Sequence, residues 1–269
     1  MRKTSTYGLS LAVALLAAPA LAQTNVPGDP YVSDPVGIVA DPCPPGRTID
    51  NSGGWQMWNL HLLTRDFGQL CRYRADNARL AASGAAARVV FLGDSITDSW
   101  IGADPAFFTG GLVDRGISGQ TTPQMLVRFR QDVLALRPAA VHIMAGTNDI
   151  GGSTGAATIE TVEGNIATMA ELAKAHGIKV IIASIPPAAA FRWSPRTRPV
   201  PQIAALNRRL ADYARRNGFT YVDYHPVLAT PEGAMKPGLA SDGVHPTPAG
   251  YAAMRPVALA AIAKTLGGR

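Results

Sequence analysis

Short apolar runs rich in β-branched residues recur along the chain, and segments with helical patterning lie between them. Strands that alternate with helices form parallel sheets, because each crossover helix packs on one face of the sheet. The sequence therefore predicts an α/β protein, with helices covering both faces of a five-stranded parallel sheet. The predicted strands are 88–92, 112–115, 140–145, 179–185 and 220–222.

Residues with particular backbone preferences mark the helix boundaries. Thr122-Pro123 and Thr247-Pro248 each pair a capping hydroxyl with a proline suited to the first helical turn, so helices are predicted to begin there. Gly177 and Gly218 stand where helices are predicted to stop. Another helix, from Gln56 to Leu80, is predicted to lead into the first strand.

The N-terminus has the layout of a cleavable secretory signal. Arg2 and Lys3 precede an uncharged apolar run, which ends in the small-residue sequence Ala20-Leu21-Ala22. The run is short for a membrane span, so cleavage after Ala22 is predicted and a stable membrane anchor is not. We expect the mature protein in the periplasm or the medium. The predicted organisation is a signal peptide at 1–22, a Pro-rich extension at 23–54 and one large domain at 55–269.

Charge and cysteine content indicate which kinds of partner the protein binds and in which cellular compartment it resides. The formal net charge is +6, to which Arg2 and Lys3 of the predicted signal contribute, and no basic run is present. This pattern does not favour nucleic acid as a partner, and it indicates no particular oligomeric state. Cys43 and Cys71 are an even pair in a chain predicted to be exported, which favours a disulfide over the alternative of two buried thiols.

Ser95 follows the first predicted strand within Gly93-Asp94-Ser95-Ile96-Thr97. A serine at the carboxyl edge of a parallel sheet is open to ligands, but its hydroxyl is a poor nucleophile until a base takes its proton. Ser95-x-x-Asp98 also fits a capping box, so Ser95 taken alone is more simply a helix cap. Its candidate partners downstream favour the nucleophile.

Asp242 and His245 lie three residues apart in a turn ahead of Thr247-Pro248. At that spacing the carboxylate can hold one imidazole nitrogen while the other faces Ser95, which predicts a triad of nucleophile, base and orienting acid. An isolated Asp-x-x-His is more simply a turn with an Asx hydrogen bond.

Attack on an ester carbonyl creates an oxyanion, which must be met by donors already in place. The candidate donors are the backbone N–H groups of Ser95 and Gly119 and the side-chain amide of Asn148. In a doubly wound sheet of order 2-1-3-4-5, ligands bind beyond strands one and three, where the winding reverses. Ser95 and Asn148 follow these strands and Gly119 follows strand two, so all are predicted at one edge. Taken separately, Gly119 and Asn148 are turn residues.

Together, these motifs resemble the sequence blocks of the SGNH hydrolases, also called GDSL esterases and lipases. The Ser, Gly, Asn and His of those blocks match Ser95, Gly119, Asn148 and His245, and the resemblance spans about 88–266. Ile96 stands where the GDSL motif has leucine.

The resemblance implies a flavodoxin-like, three-layer α/β/α sandwich and a carboxylic ester hydrolase activity, with Asp242 completing the triad. The residues around Gly119 are also similar to those of platelet-activating-factor acetylhydrolase-like members.

The remaining histidines are weaker candidates for the base. His225 follows the fifth predicted strand and is the alternative to His245, since it reaches the same sheet edge. His142 is predicted in the core of strand three. His176 is predicted at a helix end and His61 on a helix surface. No group of residues has the spacing of metal ligands, so hydrolysis is predicted to need no metal or other cofactor.

The segment from Pro186 to Pro201 follows strand four at the catalytic edge and carries aromatic and basic residues. It could stack on a sugar or attract an acidic substrate, and the alternative is a solvated surface loop. Trp100, Phe107 and Phe108 are candidates for the acyl side, with core packing as the alternative for the two phenylalanines. The candidate substrate-binding residues are Trp100, Ile150, Arg192 and Trp193.

These residues predict an exported serine esterase that removes short acyl groups, with acetyl favoured, from carbohydrates or other small molecules through an acyl-serine intermediate. An acyltransferase that passes the acyl group to a glycan hydroxyl would use the same residues. A non-catalytic glycan-binding protein on an esterase scaffold is a third hypothesis, which the intact set of site residues disfavours.

Overall fold

The central sheet has five parallel strands in the order β2-β1-β3-β4-β5. The computed structural model describes residues 37–43, 62–84 and 86–267. Every predicted strand is present, and the fold class and strand order are confirmed. The strands are β1 (Val89–Gly93), β2 (Leu112–Gly116), β3 (Ala140–Met144), β4 (Lys179–Ala183) and β5 (Thr220–Val222).

Helices cover both faces of the sheet. On one side α6 packs between α4 and α7. On the other side α9 packs on β3, β4, β5 and α3. Every residue of β1 and β3 is therefore buried. The helices are α1 (Arg74–Ala82), α2 (Ser95–Asp98), α3 (Trp100–Ala103), α4 (Thr122–Asp132), α5 (Thr147–Ile150), α6 (Ile159–Ala175), α7 (Pro199–Asn217), α8 (His225–Leu228) and α9 (Pro248–Leu266), with a 3₁₀ turn at Leu134–Leu136.

Three of the predicted helix boundaries are confirmed. Thr247 caps α9 by accepting the N–H of Gly250. Gly218 ends α7 at a φ of 68°, and Gly177 follows the end of α6 at a φ of 73°. Glycine suits these positions because left-handed backbone is strained for residues with a Cβ.

The predicted cap of α4 is wrong by one residue. Thr121 is the cap, and its N–H donates to the side chain of Gln124 at 2.9 Å. Thr122 lies in the first turn, and its hydroxyl donates to Asp149. The hydroxyl that the sequence assigns to the cap therefore bonds to a residue of another helix, α5.

The long helix predicted from Gln56 to Leu80 is wrong within the described residues. Residues 62–64 are helical, but residues 65–73 form turns, and α1 begins at Arg74. Asp66 accepts the N–H of Leu70 at 2.7 Å, and Gln69 has a φ of 52°. Such side-chain bonds to the backbone compete with the helical ladder.

The strands that carry the site end at the same level. Gly93 of β1 pairs with Gly116 of β2 and with Met144 of β3. The loops that follow these strands therefore leave the sheet at one edge, as the sequence predicts for Ser95, Gly119 and Asn148.

The sheet and helices all belong to a unit that spans 59–269, and a second unit spans 1–58. The predicted signal peptide, most of the Pro-rich extension and His61 lie outside the described residues. Cys43 and Cys71 are both disulfide-bonded. Within the described ranges, no helix combines the length and apolar character needed to cross a bilayer.

Candidate active site

Ser95 opens α2 directly after β1, and Asp94 caps that helix. Asp94 Oδ1 accepts the N–H of Ile96 at 2.9 Å, so the interpretation of Ser95 as a helix cap is wrong. Gly93 allows the tight passage from strand to helix, because a Cβ there would overlap the side chain of Thr97. The hydroxyl of Ser95 is left half-buried and available to another partner.

His245 connects Ser95 to Asp242 through both of its ring nitrogens. Nε2 lies 2.9 Å from Ser95 Oγ, and Nδ1 lies 2.8 Å from Asp242 Oδ2. The carboxylate of Asp242 has no hydrogen to donate, so Nδ1 of His245 carries the hydrogen of this bond. Nε2 is then the acceptor that faces the serine. The predicted geometry of these residues is present.

Asp242 is an ionised partner for the imidazole. Burial alone would raise the pKa of this carboxyl, but hydrogen bonds from the N–H and ring of His245 and from the N–H of Val244 outweigh it and lower the pKa to about 2. The two backbone bonds converge on Oδ1, at 2.8 Å from His245 and 3.0 Å from Val244. Asp242 is thereby held with Oδ2 directed at the ring.

The loop after β2 presents Gly119 at the same edge. Gly119 has a φ of 81°, and a Cβ there would meet no atom within 4 Å, so the residue borders open space. Its neighbour Ser118 donates to Asp98 Oδ2 from both its hydroxyl, at 2.6 Å, and its N–H, at 3.1 Å. Since Asp98 ends the helix that Ser95 begins, these bonds hold Gly119 beside the nucleophile.

Asn148 lies in α5, directly after β3, with its side chain buried. Its Nδ2 donates to the carbonyl of Gln120 at 3.0 Å. An amide nitrogen carries two hydrogens, so this bond orients Asn148 and leaves a second N–H for a ligand. The candidate donors Ser95, Gly119 and Asn148 therefore lie on segments that hydrogen bonds join to one another.

Buried carboxylates support these loops. Asp149 accepts the hydroxyl and the N–H of Thr122, and burial raises the pKa of Asp149. Burial likewise raises the pKa of Asp94 to about 6, an effect that its bond from Ile96 and the nearby His245 reduce in part. Both carboxylates hold backbone segments next to the site in place, through the N–H groups of Ile96 and Thr122.

Trp193 forms a wall of the site next to His245. Its ring lies 6.4 Å from the imidazole and stacks on Phe191 at 4.8 Å. The ring also lies close against Gly151, just beyond α5, where a Cβ would overlap Trp193 Nε1. Trp193 is 42% exposed, so part of its side chain is accessible to a ligand.

The other substrate-binding candidates have different positions. Arg192 is exposed beside Trp193, and Ile150 is half-buried at the end of α5. The prediction for Trp100 is wrong, because its side chain has no exposed surface. Trp100 fills the core, where it packs on Phe91, Phe107, Phe108, Tyr224 and Tyr251.

The alternative base, His225, is turned towards the start of the Pro186–Pro201 segment. Its Nε2 lies 2.9 Å from the carbonyl of Ile185 and 3.0 Å from Asn207 Nδ2. His142 is buried as predicted, with burial lowering its pKa to about 3. Among the described residues, no group of three or more His, Cys, Asp or Glu side chains could hold a metal ion.

Sequence reasoning missed Arg128 and Gln120, which are fully buried behind the site. Arg128 Nε donates to Gln120 Oε1 at 2.6 Å. The available signal is the position of Arg128 in α4, on the face that also buries Met125 and Phe129. A charged residue on the apolar face of a helix needs partners in the interior.

Comparisons with known proteins agree with this geometry. A family model described as the GDSL-like lipase/acylhydrolase family matches residues 91–253. A structure described as an acylhydrolase from Bacteroides fragilis is 46% identical, with a TM-score of 0.71, and the match covers 75% of this chain and 99% of that one. A GDSL-like lipase from Bacteroides thetaiotaomicron is 45% identical, with a TM-score of 0.69 and coverage of 74% and 98%.

A more distant structure shares the fold alone. An acetylxylan esterase from Geobacillus stearothermophilus is 22% identical, with a TM-score of 0.53, and the match covers 66% of this chain and 95% of that one. A search among curated proteins gave no match. The chain therefore belongs to the GDSL-like lipase/acylhydrolase family, the SGNH hydrolases, and is a carboxylic ester hydrolase.

Proposed function

We propose that the protein is an exported serine esterase that releases short acyl groups, acetyl above all, from esters of carbohydrates or other small molecules. The observation that carries the proposal is the unbroken hydrogen-bond chain from Asp242 through His245 to Ser95. This chain gives a serine hydroxyl the base that it needs to act as a nucleophile.

In the first half of the reaction, Ser95 Oγ bonds to the acyl carbon while its proton moves to His245 Nε2. The carbonyl oxygen becomes an oxyanion, which the N–H groups of Ser95 and Gly119 and the amide of Asn148 stabilise. Asp242 stabilises the imidazolium that forms. The intermediate collapses when His245 gives its proton to the alcohol oxygen, which leaves with the bonding electrons, and the acyl group stays on Ser95.

The second half repeats these steps with water. Water donates a proton to His245 Nε2 as its oxygen bonds to the acyl carbon, and the same donors meet the new oxyanion. His245 then returns the proton to Ser95 Oγ as the acid departs. Each group ends the cycle as it began.

The alcohol half of the substrate lies on the side of His245, since that residue protonates the leaving oxygen. Trp193 is an exposed aromatic residue whose ring lies 6.4 Å from the imidazole of His245. Aromatic rings offer a large, rigid and partly apolar surface. This position supports an alcohol with a flat apolar face, as a sugar ring has.

Burial beyond the nucleophile supports a short acyl group. Trp100 and Phe107 follow the nucleophile helix and could have lined an acyl channel, but both are packed in the core. A long acyl chain directed past Ser95 into this cluster would have to displace close-packed side chains, at considerable cost.

Export is supported by the signal-like sequence at 1–22 and by the oxidised state of Cys43 and Cys71. Disulfides persist mainly in oxidising compartments outside the cytosol. N-terminal sequencing of the protein released from the periplasm or medium should begin at Gln23, and recovery of an uncleaved chain from the cytosol would contradict export.

The reaction is tested by initial rates on p-nitrophenyl esters of increasing chain length. The acetate should be hydrolysed fastest, and Ser95→Ala should lose nearly all turnover while keeping its melting temperature. Ser83→Ala, a change at an exposed serine after α1, is the matched control and should keep full activity. Esterase activity in Ser95→Ala would refute the mechanism, and preference for long chains would refute the short-acyl assignment.

A further inference from the structure

The side chain of Arg128 has several hydrogen-bond partners besides the carboxylate with which it forms an ion pair. Its side chain has no exposed surface, and Nη1 lies 3.1 Å from Asp132 Oδ2, one helical turn along α4. Nη1 also donates to the carbonyl of Arg115 at 2.8 Å, and Nη2 donates to the carbonyl of Gly93 at 3.0 Å. Nε donates to Gln120 Oε1 at 2.6 Å.

Two of these partners adjoin the oxyanion donors. Gly93 is the last residue of β1 and lies two positions before Ser95. Gln120 follows Gly119 directly, and its carbonyl accepts the side chain of Asn148 at 3.0 Å. A path of hydrogen bonds therefore runs from Gly93 through Arg128 and Gln120 to Asn148, and it touches the segments of all three donors.

The ion pair alone does not account for an arginine here. Burying a charged pair is often no better for stability than burying apolar side chains. Lysine could also neutralise Asp132, but as a point charge it cannot bond in several fixed directions as the planar guanidinium does. The fork of Arg128 matches partners on separate segments, Gly93 at the end of β1 and Gln120 in the loop after β2, in addition to Asp132.

We propose that Arg128 is a positioning residue that sets the oxyanion hole, acting through Gly93 and Gln120 on Ser95, Gly119 and Asn148. The proposal rests on the function proposed above, because an oxyanion forms only if the enzyme attacks an ester. Donors that are displaced by a fraction of an ångström stabilise the oxyanion less, whereas the bound ester is held elsewhere.

The test compares Arg128→Lys and Gln120→Met with the wild-type enzyme in hydrolysis of p-nitrophenyl acetate. We expect kcat to fall by on the order of 10- to 100-fold, with KM changed little, because the loss falls on the transition state. The midpoint of the pH dependence of kcat/KM should stay in place, since neither change touches Asp242 or His245. Gln120→Met leaves the pair of Arg128 with Asp132 intact and carries the test if Arg128→Lys fails to fold.

Arg115→Lys is the matched control. Arg115 is also a buried arginine, but its side chain bonds to Asn77 and to the carbonyl of Asp114, away from the donors. We expect Arg115→Lys to lower the melting temperature and to keep kcat within a factor of about two, because its bonds contribute to stability alone.

Wild-type kcat in folded Gln120→Met would overturn the role of Arg128, and so would an equal loss of kcat in Arg115→Lys. Both results leave the proposed function standing as long as the wild-type enzyme hydrolyses the ester and Ser95→Ala does not. An inactive wild-type enzyme would instead refute the proposed function, and this proposal with it.

Discussion

Ser95 Oγ and His245 Nε2 lie 2.9 Å apart, although 150 residues separate them along the chain. A second bond between the same segments supports this approach: the hydroxyl of Tyr251, in α9, donates to the carbonyl of Ile96 at 2.8 Å. The helix that follows His245 is thereby attached to the helix that Ser95 begins. The distance between nucleophile and base is therefore fixed by the packing of helices as well as by the loop that carries His245.

Asp242→Asn should lower kcat by on the order of 10³- to 10⁴-fold, because a neutral amide neither stabilises the imidazolium nor enforces the correct tautomer. Initial rates on p-nitrophenyl acetate measure this. Asp223→Asn is the control, since Asp223 also accepts the N–H of a histidine, His225, but at a distance from the nucleophile. Equal rates in wild type and Asp242→Asn would remove Asp242 from the mechanism.

Asn148→Ala should lower kcat by on the order of 10²- to 10³-fold, with little change in KM, because it removes the second N–H of Asn148 from the oxyanion. The nearly isosteric Asn148→Asp replaces the donor by an acceptor and should lose at least as much. Asn217→Ala, at the end of α7, deletes an amide that donates to the carbonyl of Tyr213, and it serves as the control. An unchanged kcat in Asn148→Ala would return this residue to a structural role.

The sheet could be predicted from the sequence because its signals are local. Fully buried strands such as β1 and β3 are mostly apolar and include β-branched residues, and helix boundaries such as Thr247 and Gly218 have strong backbone preferences. The break at 65–73 escaped prediction, because side-chain bonds there override a pattern that is helical by periodicity.

The parts of the site that depend on sequence order could be predicted, and those that depend on three-dimensional packing could not. Ser95, Gly119 and Asn148 follow adjacent strands, so the topology alone brings them to one edge. The network of Arg128 joins α4 to β1 and the loop after β2, and no spacing in the chain reveals it. Trp100 was misassigned because an aromatic residue near the nucleophile suits a pocket and a core equally well.

The stability of the protein should fall as the pH rises from about 4 to about 7, in part because of Asp114. Burial, only partly offset by a bond from Gly116, raises the pKa of Asp114 to about 7, and Oδ2 has no hydrogen-bond partner in the described part of the chain. In this pH window the folded protein keeps a proton that the unfolded chain has released, so deprotonation favours unfolding.

Asp114→Asn should therefore flatten the dependence of the free energy of unfolding on pH. At pH 8 the variant should be more stable than wild type by a few kcal/mol at most, since one pKa unit corresponds to about 1.4 kcal/mol. Urea unfolding between pH 4 and pH 8 measures both curves. Parallel curves for the two proteins would show that Asp114 does not contribute.

Trp193→Ala should weaken the enzyme towards sugar esters while sparing esters of small alcohols. The exposed ring lies on the side of His245, where the leaving alcohol is protonated, so its removal takes a stacking surface from the sugar but not from ethanol. We expect kcat/KM for an acetylated oligosaccharide to fall by on the order of 10-fold, the scale of a good aromatic contact. For ethyl acetate, followed by acid release, we expect no change.

Two further variants separate stacking from other effects of Trp193. Trp193→Phe should restore much of the activity on the sugar ester because it keeps a ring on Phe191, whereas Arg192→Ala tests whether charge in the same segment matters instead. An equal loss on both esters in Trp193→Ala would show that the ring supports His245 rather than the substrate. A loss confined to the sugar ester would place the alcohol site on the exposed face of Trp193.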